Sequence, residues 1–143
     1  VQKGNPKGIT SLQDLAREGV RVAVGEPQEC TIGVLTRRLL QEAKIYQVML
    51  DQNIKTQTPS SAMLLPSVAT GSSDAVVAYY TDAINNLDKI DIVMIDSSLA
   101  RAVQPFSVSR QSDFKHLSYR LFDTLSRSKE KFESVGFRWK LGG

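Results

Sequence analysis

A chain of 143 residues that is 41% hydrophobic can bury one core of ordinary size, and its length gives no reason to divide it into two domains. Its formal net charge of +3 is uneven: residues 1–100 carry 9 basic and 11 acidic side chains, residues 101–143 carry 9 and 4. The basic tail is interleaved with a helical apolar pattern, which reads as a solvated helix face and not as a nucleic-acid site, while the lone Cys30 excludes an internal disulfide and an all-cysteine metal cluster.

The chain opens "VQKGNPKGITSLQDL" without an initiator methionine and reads as a piece of something longer. No apolar run approaches the roughly 18 residues that a membrane span needs. "SLQDLAREG" predicts a short helix capped by Thr10 or Ser11 and stopped by Gly19. In "GVRVAVGEP" the valines alternate between turn residues, so residues 20–24 read as a strand entering a loop at Gly25-Glu26-Pro27. Cys30-Thr31 then starts a helix with Val34, Leu35, Leu39 and Ala43 at helical spacing.

A short strand at Ile54–Gln57 leads into "TPSSAMLLPSVATG", a helix with Ser60 or Ser61 as cap and Gly71 as terminator. Pro66 lacks an N–H and clashes with the carbonyl four residues back, so this helix either begins nearer Pro66 or bends there. "DAVVAYY" and "DIVMI" are continuous apolar runs, the pattern of strands covered on both faces in a parallel sheet, and "QPFSVSR" predicts a further strand at 104–110. Ser112 caps a helix bearing Phe114, Leu117, Leu121, Phe122 and Leu125, and "SKEKFESVGF" adds a shorter one closed by Gly136. The expectation is one α/β lobe over 1–143: a mostly parallel five-stranded sheet with helices on both faces, closing with two helices in 111–143.

In such sheets ligands bind at the carboxyl ends of the strands, so the loops after Val24, Gln57 and Ala78 should share one rim. Catalysis fits poorly there. Cys30 at a helix start could be an activated thiol, but the only histidine, His116, lies 86 positions away. One His and one Cys leave carboxylates without ligand-like spacing for a metal, and Asp74 and Asp82 read as turn and cap residues. The chain therefore reads as no enzyme, with no metal and no cofactor. Anion binding needs less: helix N-termini offer unpaired N–H donors and a positive dipole end, and Thr31, Ser60, Ser61 and Tyr79 supply such starts and hydroxyls.

In order along the chain, "KGNPKGITSLQDLAREGVRVAVGEP", "VATGSSDAVVAYYTDA", "IDIVMI", "PFSVSR" and "SVGF" resemble the second half of molybdate-binding periplasmic proteins, the solute receptors of molybdate ABC transporters. The resemblance covers nearly all 143 residues and implies a type II periplasmic-binding fold. It also implies that this chain is one lobe of a two-lobed receptor whose N-terminal lobe, with further serine donors, is absent. The ligand would be a bare oxyanion such as molybdate or tungstate, the partners the membrane subunits of the transporter, and the location periplasmic or extracellular.

Carried over position by position, the resemblance places amide donors at about Ile32 and Ser61 and a hydroxyl donor at Tyr79. The chain departs from the pattern in the bulk of Ile32, in a negative charge at Glu29, and at Pro66. One lobe alone leaves several anion oxygens in water, so the isolated chain is expected to bind weakly or undetectably. Its tail helices would face the absent lobe, which makes self-association an expectation as well. The competing functional reading is a sensor or protein-interaction domain that keeps the fold and has lost or changed its ligand.

Overall fold

Val22 and Val24 of β1 (Val22–Gly25) pack to one side of a sheet and Ala23 to the other, the alternation that an extended strand imposes. β1 is the middle strand of three, flanked in parallel by β2 (Ile54–Thr58) and β3 (Ala75–Val76) in the order β2-β1-β3. All four β1 residues are buried, as a central parallel strand between two helical layers requires. The computed structural model describes residues 1–140, in two compact units, Val1–Ala102 and a second beginning at Val103.

The first layer sits on the Val22/Val24 face. It contains α1 (Thr31–Glu42) and α2 (Tyr46–Gln52), which contribute Leu40 and Met49, together with Ile9, Leu15 and Val20 from the segment before β1. On the opposite face Ala23 packs with Leu64 of α3 (Leu64–Ala69) and with Ile32 from the first turn of α1. A third cluster, Val68, Ala83 and Ile90, joins α3 to the short helix α4 (Tyr80–Ala83).

The five-stranded sheet expected from the apolar runs is not formed: three strands pair, and residues 91–95 and 104–110 join no ladder among the described residues. An apolar run specifies burial, but a strand also needs a neighbour with free backbone groups. β3 is two residues long and offers almost no edge, and residues 104–110 are exposed except for Val108, so their alternation buries no face.

Three local features differ from the periodicity. Residues 13–16 form a 3-10 turn whose expected caps run in reverse: Thr10 and Ser11 each donate backbone and hydroxyl hydrogens to the Asp14 carboxylate at 2.9–3.0 Å. The buried stripe of α1 is Ile32, Gly33, Thr36, Leu39 and Leu40, with Val34 exposed, because Gly33 is what faces the strand. Pro66 is the third residue of α3, behind a 3-10 turn at Ser61–Met63, where its missing N–H has no intrahelical acceptor to satisfy.

Two buried polar groups tie the sheet to its surroundings. Asn53 donates from Nδ2 to the carbonyls of Arg17 and Val20 at 2.7 and 3.0 Å, and its own carbonyl accepts the Val22 N–H at 2.8 Å. The buried Asp74 carboxylate, just before β3, accepts from the Arg21 backbone, Nε and guanidinium nitrogens at 2.8–3.2 Å. These bonds hold its pKa below the ordinary value against the opposing effect of burial.

In the second unit α5 (Lys115–Ser126) follows a turn in which the Ser112 hydroxyl accepts the Phe114 N–H, and α6 (Lys129–Ser134) ends at Gly136 with φ +92°. Phe106 stacks on Phe122 at 5.2 Å and Phe132 meets Phe137 and Trp139, yet no residue of either helix is fully buried. Three positions of the 111–143 segment, 141–143, lie outside the described residues.

The Asp74 pairing predicts an acid limb. A carboxylate whose folded pKa is depressed stabilises the fold above the unfolded value, near 3.9, and that contribution is lost as pH falls through the folded value. Thermal melts should therefore lose Tm steeply below about pH 4, and Asp74→Asn should start lower at neutral pH and fall less steeply in that window.

Candidate functional site

Because the three strands are parallel, the loops that follow them leave from one edge of the sheet. The first loop is set by two glycines. A Cβ on Gly33 would lie 2.5 Å from the Glu26 carbonyl and 2.6 Å from the Gly25 oxygen; one on Gly25 would lie 2.7–2.8 Å from Ile32, Cys30 and the Gly33 nitrogen. The first turn of α1 is thus seated directly on the end of β1, and any side chain at either position would push it away.

Cys30 occupies the N-cap of α1 with extended backbone (φ −144°, ψ 149°) and makes no side-chain cap. Its thiol turns back to the carbonyls of Glu26 and Thr58, at 3.5 and 3.6 Å. A Ser, Thr or Asp here would place an oxygen over the first-turn amides. The Cys30 carbonyl takes the N–H groups of Gly33 and Val34 at 3.1 and 3.3 Å, which leaves the Thr31 and Ile32 amides as the donors of the helix start. Thr31 is exposed; the Ile32 side chain is buried beside Ala23 and Leu64, so its bulk lies in the core.

Tyr79 is the N-cap of α4 and packs on this same Ala23–Ile32–Leu64 cluster, together with Cys30 and Ala78. Burial, with smaller contributions from the Cys30 thiol and Asp82, pushes its phenol pKa up, so the hydroxyl keeps its proton at neutral pH. The structure therefore brings the starts of α1 and α4 together over one apolar floor.

The serines sit differently. The loop after β2 is fastened to the first loop, since the Thr58 carbonyl accepts the Glu26 N–H at 2.8 Å. Ser60, however, spends its hydroxyl as a cap on the Ala62 N–H at 3.4 Å. Ser61, half-buried, lines an open cleft with Ala62, Pro66, Asp82 and Lys89. Sequence reasoning missed the two glycines and the inward thiol; the eight-residue interval from Gly25 to Gly33 across a strand-to-helix turn was the available signal. No group of three or more His, Cys, Asp or Glu side chains able to hold a metal occurs among the described residues. Nor is any helix among them long and apolar enough to cross a membrane.

The profile of the family described as bacterial extracellular solute-binding protein matches residues 1–138. Three curated relatives, the molybdate-binding proteins ModA of Mycobacterium bovis (strain ATCC BAA-935 / AF2122/97) and of Mycobacterium tuberculosis strains CDC 1551 and H37Rv, are each 33% identical over 90 residues. The matched region is 63% of this chain and 32% of each relative, so the chain spans about a third of the length of the curated relatives it matches. No solved structure matches it. A match over residues 1–138 is nearly the whole chain, and the chain belongs to the bacterial extracellular solute-binding protein family.

Proposed function

We propose that this chain is one lobe of a two-lobed extracytoplasmic receptor for a tetrahedral oxyanion of the molybdate or tungstate type, serving a membrane transporter of the ABC class. The observation that carries this reading is the α1 start: an uncapped helix N-terminus seated on the strand end by Gly25 and Gly33, with the Tyr79 hydroxyl on the same floor. Curated relatives whose printed name is molybdate-binding protein support the choice of anion. The Thr31 and Ile32 amides and the Tyr79 hydroxyl would donate, as would the backbone at Ser61 and the hydroxyls of Ser60 and Ser61, since Ser60 Oγ accepts the Ala62 N–H and keeps its own O–H for a ligand.

Neutral donors suit a fully ionised dianion, because a protonated ligand would bring its own O–H against another donor. Molybdate, tungstate or sulfate is therefore favoured over hydrogen phosphate. An oxyanion must exchange its hydration shell for protein donors on all sides, so the second lobe is needed for affinity and this lobe alone binds weakly.

Two experiments test the reading. In calorimetric titrations of the complete polypeptide, molybdate or tungstate should bind selectively, and Tyr79→Phe should weaken binding by about tenfold, the worth of one hydrogen bond to a charged ligand. Absence of heat with every anion, in a polypeptide shown to be folded, would leave a sensor or interaction domain as the better account. Gly33→Ala should lower stability by at least about 1 kcal/mol, read as a drop in urea midpoint at constant slope, because the clash is with backbone and outweighs the roughly 0.5–1 kcal/mol that helices gain from Gly→Ala.

A further inference from the structure

The stretch that carries Tyr79 runs from Asp74 through β3 and α4 to Asp91, and residues 1–4 are bonded to both of its ends. At the first end the Gln2 N–H donates to the Asp74 carbonyl at 3.2 Å, and Gln2 Nε2 donates to the Ser73 carbonyl at 3.0 Å and to Asp74 Oδ1 at 3.4 Å. At the far end Gln2 bridges Ile90 in antiparallel fashion, the Val1 nitrogen donates to the Asp91 carbonyl at 2.9 Å, and the Asp91 N–H returns a bond to the Val1 carbonyl at 3.0 Å. The Asp91 carboxylate adds two more, accepting the Gly4 N–H at 2.8 Å and pairing with Lys3 Nζ at 2.9 Å, while Lys3 also donates to the Leu87 carbonyl at 2.7 Å.

Between these anchors little else is regular. β3 has two residues, α4 four, and the 3-10 turn after it, Ile84–Asn86, three. Helices this short do not hold themselves, so their placement comes from packing and from whatever fixes their ends. The segment packs through Ala75 and Val77 in one cluster and Ala83 and Ile90 in another, and Tyr79 itself is only partly buried where it rests, with Ala78, on the Ala23–Ile32–Leu64 cluster.

We propose that residues 1–4 are a strap that sets the position of Tyr79 at the rim, with Gln2 and Asp91 as positioning residues. The functional consequence rests on the anion reading given above; the geometry does not. A strap bonded at both ends of one segment fixes the ends of an excursion whose own elements are too short to hold themselves, and every contact it makes is within the first unit.

The test uses the 143-residue chain with Asp91→Ala, which removes both carboxylate bonds, and Lys3→Met, which removes the exposed ion pair and the bond to the Leu87 carbonyl but keeps the Gly4 bond to Asp91. Amide exchange is followed by NMR at Gln2, Gly4 and Asp91 and, as core reporters, at Val22 and Val24. The Tyr79 phenol is titrated with ring-labelled tyrosine, its resonance assigned by its loss in Tyr79→Phe. In Asp91→Ala the strap amides should exchange at least about tenfold faster with the core amides unchanged, and the Tyr79 phenol should titrate at lower pH as its burial loosens. Lys3→Met should move both readouts the same way by less.

Freed strap amides with an unmoved Tyr79 titration would overturn the proposal. If Asp91→Ala also exposes Val22 and Val24, the milder Lys3→Met decides: a Tyr79 shift with a protected core supports the strap, and an unmoved Tyr79 overturns it. Neither readout involves an anion, so failure of oxyanion binding and failure of the strap are separate results.

Discussion

The close approach of Gly33 to the end of β1 is the constraint from which the rest of the first unit follows. It fixes the angle at which α1 leaves the sheet, and so which side chains of α1 reach the core: Ile32, Thr36, Leu39 and Leu40 go inward and Val34 outward. It also brings the helix start within reach of the loop after β2, where Thr58 receives the Glu26 N–H and the Cys30 thiol on a single carbonyl. A methyl group at either glycine would open that joint.

A helix start seated in this way is ordinarily satisfied by its own cap, and here it is not. The cysteine at the N-cap is a weak donor turned inward, and the residue that completes the rim, Tyr79, presents a hydroxyl over an apolar floor. The first-turn amides of α1 have no side-chain cap, and Tyr79, whose phenol keeps its proton at neutral pH, packs on the same apolar cluster. The same arrangement explains how Ile32 is accommodated in the first turn of α1, because its side chain is part of the floor and only its amide belongs to the rim.

The first strand, the helix starting at Thr31, the strand at Ile54 and the shared rim were legible because each rests on a local signal: valine alternation, a turn, helical spacing. Tyr79 was legible as a hydroxyl at the end of an apolar run, although that run yields only two paired residues before α4 begins. The last two expected strands were not foretold correctly, since "DIVMI" and "QPFSVSR" have the composition of strands but no neighbour to pair with, and pairing is not written in the run itself. α2 went unnoticed because Lys44, at φ +58°, breaks the helical spacing just before it. The Asp14 and Asp74 networks depend on partners donating in a direction that composition does not reveal.

The most direct test is to crystallise the complete polypeptide with tungstate and locate the metal by its anomalous scattering. The account predicts a peak within oxyanion reach of the Ile32 amide and the Tyr79 hydroxyl, so that each donates to an anion oxygen at about 2.7–3.1 Å. A saturated protein with its tungsten elsewhere, or with a side chain of residues 1–140 filling the α1 start instead, would contradict it.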